Sequence, residues 1–200
     1  MRLLKKIGWR GTLAACLLLV AVATAVASPH LGSRRAHARL TSSPASLSST
    51  SLRTRFDDLS EQHSNRCGMP ASALAVMAPN ARLQGACCFP MNYDSYVKQG
   101  HEIARYADVS VVPQDPYDIS AILAKRLAAY QSIKLTAVQQ RVYDHAKPLS
   151  TTKGPCCCRC WRWTAFGGQA KYLITRRQYT ARQIADVWSV EEGCGGPSGS

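Results

Sequence analysis

Apolar residues recur at spacings of three and four through most of the second half of the chain. Ile119, Ile122, Leu123, Leu127 and Tyr130 fall on one face, and Asp115-Pro116 ahead of them reads as an N-cap followed by proline at the first helical position. Thr136 opens a second helix: Gln139 completes a capping box, Val138, Val142 and Ala146 make one stripe, and Pro148 is the stop. These two segments predict an antiparallel helical hairpin. Upstream, Tyr93, Tyr96, Val97, Ile103 and Ala104 suit a helix that Gly100 weakens. Val109, Val111 and Val112 then alternate before Pro113 like a short extended connector. Downstream, Ala170, Leu173 and Ile174 mark another helix, and Thr180 caps a last one carrying Ile184, Val187 and Trp188. About five helices with short connections predict an all-α fold, a small helical bundle with a Cys-rich loop.

The first 55 residues break this pattern. Arg2, Lys5, Lys6 and Arg10 precede sixteen uncharged residues, Thr12 to Ala27, which end on Ala25-Val26-Ala27. A positive start, a short apolar run and small residues before a cleavage point have the form of an export signal. A run of this length falls short of the roughly 20 residues a membrane span needs. Residues 1–27 are therefore expected to be a signal peptide or a retained membrane anchor, with Cys16 an apolar filler. Residues 28–55 are rich in Ser, Ala, Arg and Pro without periodicity, and predict a disordered basic spacer. The folded part is then expected at 56–200, a Cys-rich helical domain.

The net charge of +13 changes meaning once it is located. Residues 1–55 hold nine of the 25 lysines and arginines and none of the 12 acids, which leaves 16 against 12 for the rest. The basic balance thus belongs to leader and spacer, and export argues against a nucleic-acid partner even though 170–190 has the outline of a helix-turn-helix. Glycine-rich phosphate loops, G-x-S-x-G elbows and H-E-x-x-H pairs are missing from the sequence.

The cysteines carry the chemistry. Past the leader they stand as Cys67, Cys87-Cys88, the group Cys156-Cys157-Cys158-Arg159-Cys160, and Cys194. Neighbouring cysteines pair poorly with each other, so four thiols in five residues must reach distant partners or hold a metal. In an extended stretch Cys156, Cys158 and Cys160 point to one side, with Cys157 and Arg159 on the other. Soft thiolates at that density select copper(I), zinc, other thiophilic ions or an iron-sulfur cluster. Cys194 is the first choice for a further ligand or an exchanging thiol, as is Cys157; Cys87 and Cys88 come next, then His145 and Cys67. Arg159, with Lys153 and Arg162 beside the loop, is expected to lower thiol pKa values, and Trp161, Trp163 and Phe166 to shield the thiols or simply fill core. Gly167-Gly168 predicts a turn before the next helix. The opposing reading is that eight cysteines, an even number in an exported chain, end as disulfides that pin a small helical body.

Pro155-Cys156-Cys157-Cys158-Arg159-Cys160, preceded by Tyr143 and Ala146 and followed by two short helices, resembles the exported bacterial proteins named for a PCYCGC motif. The likeness spans roughly Val142 to Val190. Cys157 stands where those proteins have tyrosine and Arg159 where they have glycine, and the Gly-His stretch that usually follows the motif is missing. The resemblance implies Cys156, Cys158 and Cys160 as the shared thiols and an extracytoplasmic location; it implies no activity.

The expectation is therefore an exported protein that binds a soft metal ion, Cu(I) or Zn, for metal handling at the cell envelope. Its partners would be an envelope metal donor or acceptor or a thiol reductase, with membrane contact only through the N-terminal segment. Two other classes stay open: a thiol-disulfide or organometal-cleaving enzyme, in which one low-pKa cysteine attacks and a neighbour resolves, and a disulfide-stapled interaction module. The enzyme reading lacks a placed acid, though Asp144 or Asp186 could serve.

Overall fold

A computed structural model describes residues 43–196; the leader, Cys16 and the spacer as far as residue 42 lie outside the described residues. The described residues form seven α-helices and one short ribbon. These are α1 Ser49–Ser60, α2 Ser72–Val76, β1 Arg82–Gln84, α3 Tyr93–Ile103, β2 Asp118–Ser120, α4 Ala121–Ala129, α5 Ala137–Leu149, α6 Trp161–Arg177 and α7 Ala181–Val190. The fold is all-α, as the spacing predicts. β1 and β2 pair antiparallel with Leu83 opposite Ile119.

α6 organises the core. Its buried residues Trp161, Ala165, Phe166, Ala170 and Leu173 keep the helical period and face α4, while α5 packs on α7. The expected α4–α5 hairpin is therefore replaced: each of those helices packs chiefly on a C-terminal helix instead. The turn predicted at Gly167-Gly168 does not form, and α6 runs straight through both glycines. A Cβ on Gly168 would collide with the Leu127 carbonyl and lie 2.9 Å from the Gln131 nitrogen, so glycine here lets two backbones approach. Full burial of Trp161, Trp188, Phe166 and Leu173 supplies roughly 1.5–3 kcal/mol per side chain.

Caps fix the helix starts. Thr136 with Gln139 and Thr180 with Gln183 both form complete capping boxes, at the N-termini of α5 and α7. α5 carries Pro148 in its last turn and ends one residue later, at Leu149. The helix expected from Asp115 begins later, at Ala121, with the Ser120 side chain accepting from Leu123 N. Ile119 lies in β2, and Ile122 and Val138 face solvent instead of the core. Val109, Val111 and Val112 are buried in turns, not in an extended connector.

Asp115 is diverted from capping by an ion network. Buried Arg55 donates from Nε to Asp115 Oδ2 at 2.9 Å and from Nη2 to Asp118 Oδ2 at 3.0 Å. Tyr96 Oη donates to Asp115 Oδ2, the Tyr117 N–H donates to Oδ1, and Arg82 Nε donates to Asp118 Oδ1. Arg55 belongs to α1, whose buried Leu52, Phe56 and Leu59 make a second small core with Tyr96 and Tyr117. The spacer expected to reach residue 55 thus gives way to a turn at Pro44–Ser46 and to α1. The expected boundary cut the apolar stripe of α1 in two, which hid its period.

Candidate metal centre

Four loop segments meet at the N-terminal end of α6. Backbone hydrogen bonds set their register: Cys87 N donates to Gly193 O at 2.9 Å, Cys88 N and Phe89 N to Cys194 O at 3.1 and 2.8 Å, and Gly196 N to Pro90 O at 2.8 Å. Cys67 N donates to Cys87 O, and Trp161 N donates to Met69 O, which ties the segment around Cys67 to the start of α6. Gly195, at φ +80°, sits so close to the Phe89 carbonyl that a Cβ would overlap it. Residues far apart in sequence are therefore clasped by main chain before any thiol makes a bond.

The thiols converge inside this clasp. Sγ–Sγ separations are 3.4 Å for Cys87–Cys88, 3.9 Å for Cys87–Cys194, 3.5 Å for Cys88–Cys157, 2.7 Å for Cys157–Cys194 and 3.9 Å for Cys156–Cys160. A tetrahedral zinc site with Zn–S bonds of about 2.3 Å has sulfur–sulfur edges of about 3.8 Å. Four of the five separations are near that edge; Cys157–Cys194 would have to open by about 1 Å to reach it. Three sets lie mutually within 4.8 Å: Cys87, Cys156, Cys157 and Cys194; Cys87, Cys88, Cys157 and Cys158; and Cys156, Cys158 and Cys160. These thiols are close enough together to hold a metal ion.

The expected trio Cys156, Cys158 and Cys160 forms one of these sets, as alternation along an extended stretch predicts. Cys157 departs from that picture: it does not point away from the thiols but belongs to both four-thiol sets. Cys194 joins Cys156 and Cys157 rather than completing the trio, and Cys87 and Cys88 are full members. Cys67 is exposed and in none of the three sets, although it meets Cys88 and Cys158 as a hydrogen-bond partner. His145 is exposed and outside them too. Arg159 is exposed and stacks on the half-buried Trp163 ring, 4.4 Å from its centroid. Trp161 is buried, and its Nε1 donates to Asn65 Oδ1 at 3.1 Å.

The cation that faces the thiols is Arg162. It is 1 % exposed, donates from Nη1 to Pro116 O at 3.0 Å and from Nη2 to Glu191 O at 2.5 Å, and lies against the Phe166 ring. It makes no ion pair with a carboxylate among the described residues. Burial works against its charge, and the thiols of Cys156, Cys87, Cys194 and Cys160 more than offset that. Glu191, also buried, is pushed up to about 8 by burial, against the Gln169 hydrogen bond and Arg162, and is therefore mostly neutral at pH 7. Gln169 Oε1 and Glu191 Oε2 are buried without a hydrogen-bond partner.

Charge separates the thiols into two kinds. Hydrogen bonds from Cys156 and then Cys87 draw Cys194 down to about 3, and Cys157 and Arg162 add to this. Cys156 is drawn down to about 6, first by its hydrogen bond with Cys160. Burial raises Cys157, Cys158 and Cys88, the last to about 11. Cys87 is raised most of all, first by its hydrogen bond with Cys156. Cys194 and Cys156 are thus the natural first thiolates for an incoming cation, since the thiolate is the ligand and nucleophile.

Arg162 lies in the run Trp161-Arg162-Trp163-Thr164-Ala165-Phe166, and a lone cation among aromatics was its sequence signal. Glu191, Gln169 and Gly193 gave none. A Cβ on Gly193 would come 2.6 Å from the Arg162 guanidinium, so this glycine leaves room for the cation.

No protein-family model, curated protein or solved structure matches the chain.

Proposed function

We propose that this protein binds a soft metal ion of the copper(I) or zinc class through its clasped thiols, for metal handling outside the cytoplasm. The observation that carries the reading is the set Cys87, Cys156, Cys157 and Cys194, four sulfurs from three distant segments mutually within 4.8 Å. Arg162 supports it. A buried guanidinium that lacks a carboxylate finds its counter-charge in thiolates, whose protons go to water when a metal binds. The apolar leader of residues 1–27 supports the location, and an envelope metal donor or acceptor is the partner this reading requires. Among the described residues no helix is long and apolar enough to cross a membrane.

A second reading rests on the 2.7 Å between Cys157 and Cys194. Oxidised by a disulfide-bearing thiol oxidase, that pair would lose two electrons and two protons and close a bond, making the cluster a structural staple. Bound metal and free thiols, measured on one sample of protein exported and purified without reductant, separate the two. Metal with four or more thiols that react only after chelation supports the metal site. No metal together with the loss of nearly all free thiols overturns it.

A further inference from the structure

The three thiol sets overlap, and the way they overlap goes beyond one ion in one site. Cys87 and Cys157 belong to both four-thiol sets, Cys156 links the first set to the trio, and Cys158 links the second to it. A chain that needed one tetrahedral ion would need four thiols. Here seven fall into three overlapping sets, each mutually within 4.8 Å, and none of the three is independent of the others.

We propose that the thiols hold a polynuclear metal–thiolate cluster, in which Cys87 and Cys157 each bridge two metal ions. This rests on the metal-binding reading above and deepens it. Cys156 and Cys194 complete the inner ion, and Cys88 and Cys158 complete the outer one: two tetrahedra sharing the Cys87–Cys157 edge, six sulfurs in all. Sulfur suits this role because a thiolate has lone pairs left after its first metal bond. On binding, each sulfur that still carries a proton loses it to water and a sulfur lone pair makes the metal bond; a bridging sulfur gives a second lone pair to the second ion, with no change of oxidation state. The inner set is mostly buried and faces Arg162, while Cys88 and Cys157 are exposed, so the outer ion sits where a donor or acceptor can reach it. Two divalent ions on six thiolates leave a charge of −2, and Arg162 halves it. Two monovalent ions leave −4, so the single charge of Arg162 favours divalent ions of the zinc type.

The test uses the reduced, metal-free full chain loaded with cadmium-113(II), read by native mass spectrometry and cadmium-113 NMR. Two ions per chain with all-sulfur chemical shifts and a scalar coupling between the two resonances, which only a shared sulfur transmits, are the expected result. The exposed-site variant Cys157→Ser keeps Cys87 as a bridge and should weaken that coupling, while Cys87→Ser combined with Cys157→Ser should abolish it. One ion per chain would overturn the cluster and leave the single-ion reading intact. Two ions without coupling would overturn the bridges. No binding at all would overturn both readings together.

Discussion

Arg55 and Arg162 are both buried guanidinium groups, and the protein surrounds them differently. Arg55 reaches two aspartates directly, at 2.9 and 3.0 Å, and both acids are buried with it. Arg162 reaches only carbonyls and ring faces, and its nearest acid, Glu191, is held mostly neutral by burial. Where a cation serves architecture, the chain provides fixed carboxylates that tie α1 to the ribbon. Where it faces the thiols, the chain leaves the counter-charge to the sulfurs, Cys194 and Cys156 being the first to ionise. That difference suits a thiolate site, because a carboxylate beside Arg162 would already have cancelled its pull on the sulfurs.

The largest effect should come from breaking the fixed network. Asp118→Ala takes one of the two aspartates of Arg55 and the carboxylate of Arg82, and should cost about 3 kcal/mol in chemical denaturation, with metal stoichiometry unchanged in whatever protein remains folded. Arg162→Met inverts this pattern. Zinc affinity, read by competition with a chromophoric chelator, should fall about 10- to 100-fold. The reduced, metal-free protein should lose less stability than in the Asp118 variant, since no buried acid is stranded. Equal stability losses in the two variants, with unchanged zinc affinity in the second, would erase the contrast.

A smaller change sharpens the Arg162 side. Glu191 has a folded pKa of about 8 against an ordinary value of 4.5, so the folded state holds its proton to higher pH than the unfolded chain does. Its contribution to stability is full below about 4.5 and is lost as pH rises through about 8. Glu191→Gln should therefore flatten the fall in stability between those limits, seen as the difference between wild-type and variant midpoints across pH. The smallest effect tests neither cation: Thr180→Ala removes one capping box and should cost about 1 kcal/mol, without altering zinc affinity.

Local chemistry was legible in the sequence, and distant partnership was not. Thr136 with Gln139 and Thr180 with Gln183 announced two helix starts because a capping box is complete within four residues. Cys156, Cys158 and Cys160 announced a shared side for the same reason. Asp115-Pro116 looked like a cap because nothing nearby shows that its carboxylate is taken by Arg55, sixty residues earlier. Cys157 looked outward because alternation ignores the clasp between the segments of Cys87 and Cys194 that brings their thiols to it. Gly167-Gly168 read as a turn because a glycine pair usually marks one; the Leu127 carbonyl against Gly168, and the Gln131 amide and Tyr143 hydroxyl against Gly167, explain two glycines within a continuous helix.

The central claim is that the thiols are metal ligands with Arg162 as their fixed counter-charge, and X-ray absorption at the zinc edge of the loaded, reduced full chain tests it most directly. The account predicts nearest scatterers that are all sulfur, at about 2.3 Å. A nearest shell dominated by nitrogen or oxygen, or zinc that washes away and leaves the thiols reactive, would contradict it.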